Sequence, residues 1–222
     1  MIEIVLPENR ARHKHLLDAM FRMRYDVVVK QWGWDVPGIE PGYDKDAFDT
    51  DQTVYMLYLS EAGDEVLGCC RFNPTSEPYM ISELWPDHCD LQDMPKSSTS
   101  WETSRFVVTD KVSSKEEYID IMWHLGVGLT EYCVAAGIDQ IVWFTDYPFY
   151  ATIRSIMDVE PLGRPRLFEA DDKEYFPAVG AITQASVLAA RANLKDPHKD
   201  VTFALAPIQK LPAPFLLSKE AA

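Results

Sequence analysis

A carboxylate and a guanidinium lie three residues apart in the stretch Trp101-Glu102-Thr103-Ser104-Arg105-Phe106. A carboxylate can take part in proton transfer, and a guanidinium can pair with an anionic group. Residues 101–108 are rich in aromatic and β-branched side chains and are flanked by turn residues, which predicts a strand. Strand side chains alternate between faces, so positions 102 and 105 of a regular strand point to opposite sides. Two arrangements remain open. The pair is a set of solvated charges on an edge strand, or a β-bulge re-aims one charge onto the other's face.

Upstream runs the acidic segment Asp44-Lys45-Asp46-Ala47-Phe48-Asp49-Thr50-Asp51. A calcium-binding EF-hand loop is excluded, because its sixth position is Asp49 rather than Gly and its twelfth is Tyr55 rather than Glu. What remains is a solvated loop, or a set of carboxylates for a cationic ligand. Trp32 and Trp34 lie nearby and suit ammonium or sulfonium groups through cation–π contacts. Gly126-Val127-Gly128 resembles part of a phosphate loop. It falls in the middle of a helical stripe, so close helix–sheet packing is the better reading. Ser104 has no nucleophile elbow around it. Cys69 or Cys70 as a thioester-forming nucleophile is a minor alternative. No residue set has metal-ligand spacing.

These residues need elements to hold them. Residues 2–6 read as a strand, and a helix follows from Pro7 with apolar positions Leu16, Ala19, Met20, Met23 and Val27. Residues 31–51 lose all periodicity and form a long loop, a kind of segment that is usually functional or disordered. Residues 53–59 and 65–72 predict a hairpin around 61–64. A short apolar turn at 80–85 interrupts an irregular stretch over 73–100. Ser113 or Ser114 caps a helix over 115–136, and Gly137 ends it. Residues 140–145 read as a buried strand, 149–157 as a helix, 164–168 and 175–183 as late strands, and 184–194 as a helix. The expected fold class is α/β (α+β), a mixed sheet with helices on both faces.

The chain has 222 residues, 47% of them hydrophobic and 25% charged, which suits one globular domain. A single domain over 1–204 and a proline-containing tail over 205–222 are expected. The net charge of -14 argues against nucleic acid as a partner. Neither a signal peptide nor an apolar run of membrane-spanning length is present, so a cytoplasmic location with no membrane association is expected.

Taken together, the motifs resemble the acyl-homoserine-lactone (autoinducer, LuxI-type) synthases of quorum-sensing bacteria. The resemblance runs from about Met23 to Thr145. It rests on Arg24 in Arg-Tyr-Asp, Trp34 in Trp-Gly-Trp, Asp46 and Asp49 in Asp-Ala-Phe-Asp, Arg71 in Gly-Cys-Cys-Arg, and the Glu102/Arg105 stretch. Val28 departs from it, since the family carries Phe there. The resemblance implies an N-acetyltransferase-like sheet, splayed in the middle. It implies two substrates, S-adenosyl-L-methionine and an acyl thioester (acyl-coenzyme A or acyl-carrier protein), and no prosthetic group or metal. The amine of adenosylmethionine takes the acyl group, and lactonisation then expels methylthioadenosine.

In that reading Glu102 is the base. Asp46 and Asp49 offset the sulfonium. Arg24 or Arg105 holds the substrate carboxylate or organises the aspartates. Arg71 buttresses the acidic loop, and Trp34 and Phe106 complete the adenosylmethionine site. Phe106, Met122, Leu125, Trp143, Thr145 and Met157 are candidates for the acyl pocket. The bulk of Trp143 points to a short, branched or aryl acyl group. Acyl transfer to another amine, or a silent ligand-binding domain, are the alternatives.

Overall fold

A computed structural model describes residues 1–168 and 171–198. The tail expected over 205–222 lies outside the described residues. The strands are β1 (Ile2–Val5), β2 (Val54–Leu59), β3 (Val66–Pro74), β4 (Ser100–Val108), β5 (Gln140–Asp146), β6 (Val159–Pro161), β7 (Arg166–Phe168) and β8 (Lys173–Ala181). The helices are α1 (Lys14–Arg24), α2 (Met80–Leu84), α3 (Lys115–Ala136), α4 (Tyr147–Arg154) and α5 (Gln184–Arg191). A 3₁₀ segment leads into α1, and a π-helical segment, Tyr25–Gln31, leaves it.

All the strands join one sheet in the order β1-β2-β3-β4-β5-β8-β6, with β7 also on β8. Every pairing is antiparallel except β4 with β5, which is parallel. That ladder is short. It joins only Ser100, Trp101 and Glu102 to Gln140, Ile141 and Val142, while each strand continues paired on its other side. The two strands therefore part after Glu102, and the sheet is mixed and splayed, as expected.

Helices cover both faces. The apolar stripe of α3 (Ile121, Leu125, Leu129, Tyr132) packs with Met56, Phe72 and Trp101 in the larger core. Leu16 and Met20 of α1 pack with Tyr55, Leu57, Cys69 and Val107 on the opposite face. The α3 boundaries follow from local chemistry. The Ser114 side chain accepts from the Glu117 N–H, and Gly137 adopts φ 73°, a left-handed value that Gly tolerates at no steric cost.

Boundaries differ from expectation around α4. The helix predicted over 149–157 begins at Tyr147, because Asp146 caps it and accepts from the Phe149 N–H. It stops at Arg154, and β6 follows, a strand of 3 residues that is too short to leave a pattern. Among the described residues, no helix is long and apolar enough to cross a membrane.

Gly128 brings α3 onto β2, since a Cβ there would lie 2.9 Å from Met56 Sδ. A Cβ at Gly126 would meet only the Trp123 ring, at 3.9 Å. Denaturant unfolding of Gly128→Val is expected to show a loss of about 1–3 kcal/mol through overpacking. Gly126→Ala should stay within about 1 kcal/mol of wild type.

Candidate active site

The opening pair of charges is joined by a bulge. Arg71 of β3 faces Ser104, and Cys69 faces Val107, so two steps on β3 oppose three on β4. The extra residue falls at Arg105, whose φ of 52° is left-handed. A non-Gly residue pays roughly 1–2 kcal/mol for that conformation. The bulge reverses the strand's alternation. Trp101 packs on the α3 side, yet Val107, six residues on, packs on the α1 side. Glu102, Ser104 and Arg105 thereby share the α1 face, and Phe106 is turned into the core beneath α3.

Arg105 enters a closed ionic network. Its Nε bonds Asp44 at 2.8 Å, and its Nη2 bonds Asp46 at 2.9 Å. Arg24 reaches Asp44 through Nε at 3.1 Å and grips both oxygens of Asp49 at 2.9 and 3.0 Å. Arg71 bonds Asp46 and lies 3.1 Å from Asp49. Three guanidiniums thus neutralise three carboxylates. The side chains of Arg24, Arg71, Asp44 and Asp49 are wholly buried, and those of Arg105 and Asp46 are 7% exposed. Burial alone would raise the Asp44 and Asp49 carboxyls. The adjacent guanidiniums overcome it and hold both below the usual carboxylate range.

Glu102 has a different environment. Its oxygens accept from the Ile81 N–H at 2.9 Å and the Met80 N–H at 3.2 Å, at the start of α2. Burial pushes its carboxyl up to about 7, against the pull of these N–H groups and of Arg71. Met80 also turns its sulfur towards Arg71 Nη2 (3.7 Å) and Arg105 Nη1 (3.8 Å). Cys69 donates to the Arg105 carbonyl at the bulge, and burial pushes its thiol up to about 12. A thiol held so far from ionisation is no nucleophile at neutral pH.

Between the parted ends of β4 and β5 lies a cavity of about 480 Å³. Arg105 is the one member of the six-residue network on its wall, beside Ser104 and Met80. Trp34, Phe106, Met122, Trp143 and Thr145 line it as well. A smaller recess of about 40 Å³ continues from it, walled by Phe106, Met122, Trp143 and Met157. Arg24, Asp46, Asp49, Arg71 and Glu102 stand behind the wall, not on it. The aspartates are engaged by guanidiniums and do not face the cavity. Leu125 lines neither space, contrary to expectation. It is fully buried under the sheet, where Gly68 makes room for its side chain.

Several residues escaped the sequence reading. Asp44 bridges Arg24 to Arg105, and only its place in the acidic run hinted at this. Met80 had the short apolar turn as its signal. Ser104, set aside as a nucleophile, accepts from Arg71 Nε at 3.0 Å. Phe144 and Tyr175 form an aromatic wall, their rings stacked at 5.9 Å, that no local pattern announces. Val28, on the cavity wall, is buried in the α1-side core.

The splayed mixed sheet is that of the N-acetyltransferases. A structure assigned as an N-acetyltransferase, from Lactobacillus plantarum, superposes with a TM-score of 0.51 at 15% identity, covering 82% of this chain and 99% of that one. The autoinducer synthase family model matches residues 8–167, and the chain belongs to that family. It is 30% identical to the isovaleryl-homoserine lactone synthase of Bradyrhizobium diazoefficiens over 76% of this chain and 75% of that protein. BjaI, a coenzyme A-dependent acyl-homoserine lactone synthase solved with adenosylmethionine and isopentyl-coenzyme A, superposes with a TM-score of 0.77. Identity there is 25%, over 95% of this chain and 99% of BjaI.

Two stability predictions follow from the buried charges. Asp49→Ala leaves Arg24 and Arg71 short of a counter-charge, and denaturant melts should show a loss of about 3–5 kcal/mol. Glu102 acts in the opposite sense to the aspartates. Its folded carboxyl holds a proton more tightly than the unfolded one, so its contribution is complete below the unfolded value near 4.5 and is lost as pH rises through about 7. Glu102→Gln should gain stability relative to wild type between pH 4.5 and 7.5, by on the order of 3 kcal/mol. The aspartate contributions disappear instead as pH falls below the ordinary carboxylate range.

Proposed function

We propose that this acyl-homoserine-lactone synthase takes a coenzyme A thioester of a short or branched acyl group as its donor. Arg105 holds the carboxylate of adenosylmethionine, and Glu102 takes up the proton of its amine. The observation that carries this reading is the isolation of Arg105 as the network's only side chain on the cavity wall. Its Nε and Nη2 are committed to aspartates, while Nη1 meets only the Met80 sulfur. One free N–H edge orients a carboxylate and leaves its second oxygen able to attack.

The chemistry runs in two steps. The deprotonated amine attacks the thioester carbonyl carbon, the oxyanion collapses, and the thiolate leaves as the amide forms. The substrate carboxylate then attacks the γ-carbon, the carbon–sulfur bond breaks, and methylthioadenosine departs. β4 beyond Glu102 lacks a ladder partner on the β5 side, and backbone N–H groups there would meet the oxyanion. Glu102 has proton affinity near neutrality, which a base at pH 7 requires. Its oxygens are held by Met80 and Ile81, so it works through a relayed proton. The sulfonium lies against aromatic faces, Trp34, Phe144 and Tyr175, rather than against the paired aspartates.

Donor choice rests on three supports. The recess beyond Phe106 has room for few carbon atoms. BjaI, at similar topology, was solved with isopentyl-coenzyme A. An acidic carrier protein would need a broad basic face, but Arg164 and Arg166 are drawn to Asp90 at 3.0 and 3.9 Å.

The test presents one acyl group, isovaleryl, on coenzyme A and on carrier protein, with adenosylmethionine, and follows lactone and methylthioadenosine by mass spectrometry. At least tenfold higher kcat/KM is expected with coenzyme A, and a preference for carrier protein would overturn the donor assignment. Glu102→Gln should lower kcat by about 10²–10⁴-fold while the fold is kept. Arg105→Lys should raise KM for adenosylmethionine, because an ammonium cannot serve both aspartates and substrate with the same fork.

A further inference from the structure

Two residues that line the cavity each carry a buried polar atom without a partner among the described residues. The atoms are Trp34 Nε1 and Asp171 Oδ1. The other oxygen of Asp171 accepts from the Tyr175 hydroxyl at 2.7 Å, which fixes the carboxylate. Tyr175 in turn lies edge-on to Trp34, with ring centroids 5.5 Å apart, and stacks on Phe144. One carboxylate oxygen is therefore buried beside aromatic rings without a donor.

An acceptor buried without a donor costs about 1–3 kcal/mol, so the site favours a ligand that brings one. Aromatic faces with a single acceptor match a nucleoside: the base stacks, and a ribose hydroxyl donates. Carboxylates serve ribose hydroxyls in this way in dinucleotide-binding folds. Substrate connectivity sets the direction. The amine and carboxylate of adenosylmethionine share one carbon, so both stay at the Arg105 end. The ribose lies beyond the sulfur, on the Asp171 side.

We propose that Asp171 is a specificity-determining residue for the nucleoside, its Oδ1 accepting a hydrogen bond from a ribose hydroxyl of adenosylmethionine while Tyr175 positions the carboxylate. The inference rests on the lactone synthase reading and adds a contact to it. Calorimetry with adenosylmethionine and its 2′-deoxy and 3′-deoxy analogues tests it in wild type, Asp171→Ala and Tyr175→Phe.

Wild type is expected to bind one deoxy analogue at least tenfold more weakly than the parent. In Asp171→Ala that gap should shrink to within twofold. Tyr175→Phe should give an intermediate gap. Equal binding of the parent and both analogues by wild type would overturn the proposal, whether or not the variants fold. So would an undiminished gap in Asp171→Ala. Failure of wild type to bind adenosylmethionine at all would overturn the lactone synthase reading with it.

Discussion

Six charged side chains, four of them wholly buried, must neutralise one another, and the active-site half of this protein is arranged around that requirement. Arg24 comes from α1, Arg71 from β3 and Arg105 from β4, while Asp44, Asp46 and Asp49 come from the long loop. A buried charge without its partner is costly, so none of the four segments can shift independently. The loop has little regular structure of its own. It is ordered because its aspartates are gripped from three sides and because Asn73 donates to the Phe48 carbonyl at 3.0 Å. A loop pinned in this way is a fixed backing for the site.

The network also changes what the aspartates do. Their charge is matched by three guanidiniums within the network. The aspartates fix a strained arginine at one orientation. The left-handed backbone at Arg105 is unfavourable for a side chain of that size, and two aspartates and the Cys69 thiol hold it there. Glu102 is the one acid in the group left without a guanidinium bonded to it. That difference separates a carboxyl raised towards neutrality from those of Asp44 and Asp49, which are held below the usual range.

Much of this was legible in the residues. The α3 helix announced itself by a serine cap at 113 or 114, its stripe and its Gly137 stop, and β5 by an unbroken apolar run. Arg24, Asp46, Asp49, Arg71, Glu102 and Arg105 do gather in space. Their division into wall and backing was not legible, because it depends on one extra residue in the register of β4 against β3, a relation between segments 33 positions apart. Leu125 was misplaced for a related reason. Helical spacing shows which residues of α3 face inward, but not which of them lie under the sheet and which under the gap. Phe168 and Tyr175 meet Trp34, and Phe144 meets both of them, only through the folding of distant segments onto one cleft.

The short parallel ladder between β4 and β5 has a mechanical consequence. The sheet is two half-sheets joined along three residue pairs, with a deep opening beyond them. At the far side, the rings of Trp34 and Phe168 stack with centroids 6.4 Å apart, and Trp34 meets Tyr175 edge-on. The molecule thus resembles a pair of jaws with a hydrogen-bonded hinge and an aromatic clasp. Ring contacts can slide by a fraction of an ångström with little loss, whereas a ladder cannot. The width of the gap can therefore follow the thickness of what lies in it, while the hinge keeps Glu102 and the start of the bulge in register.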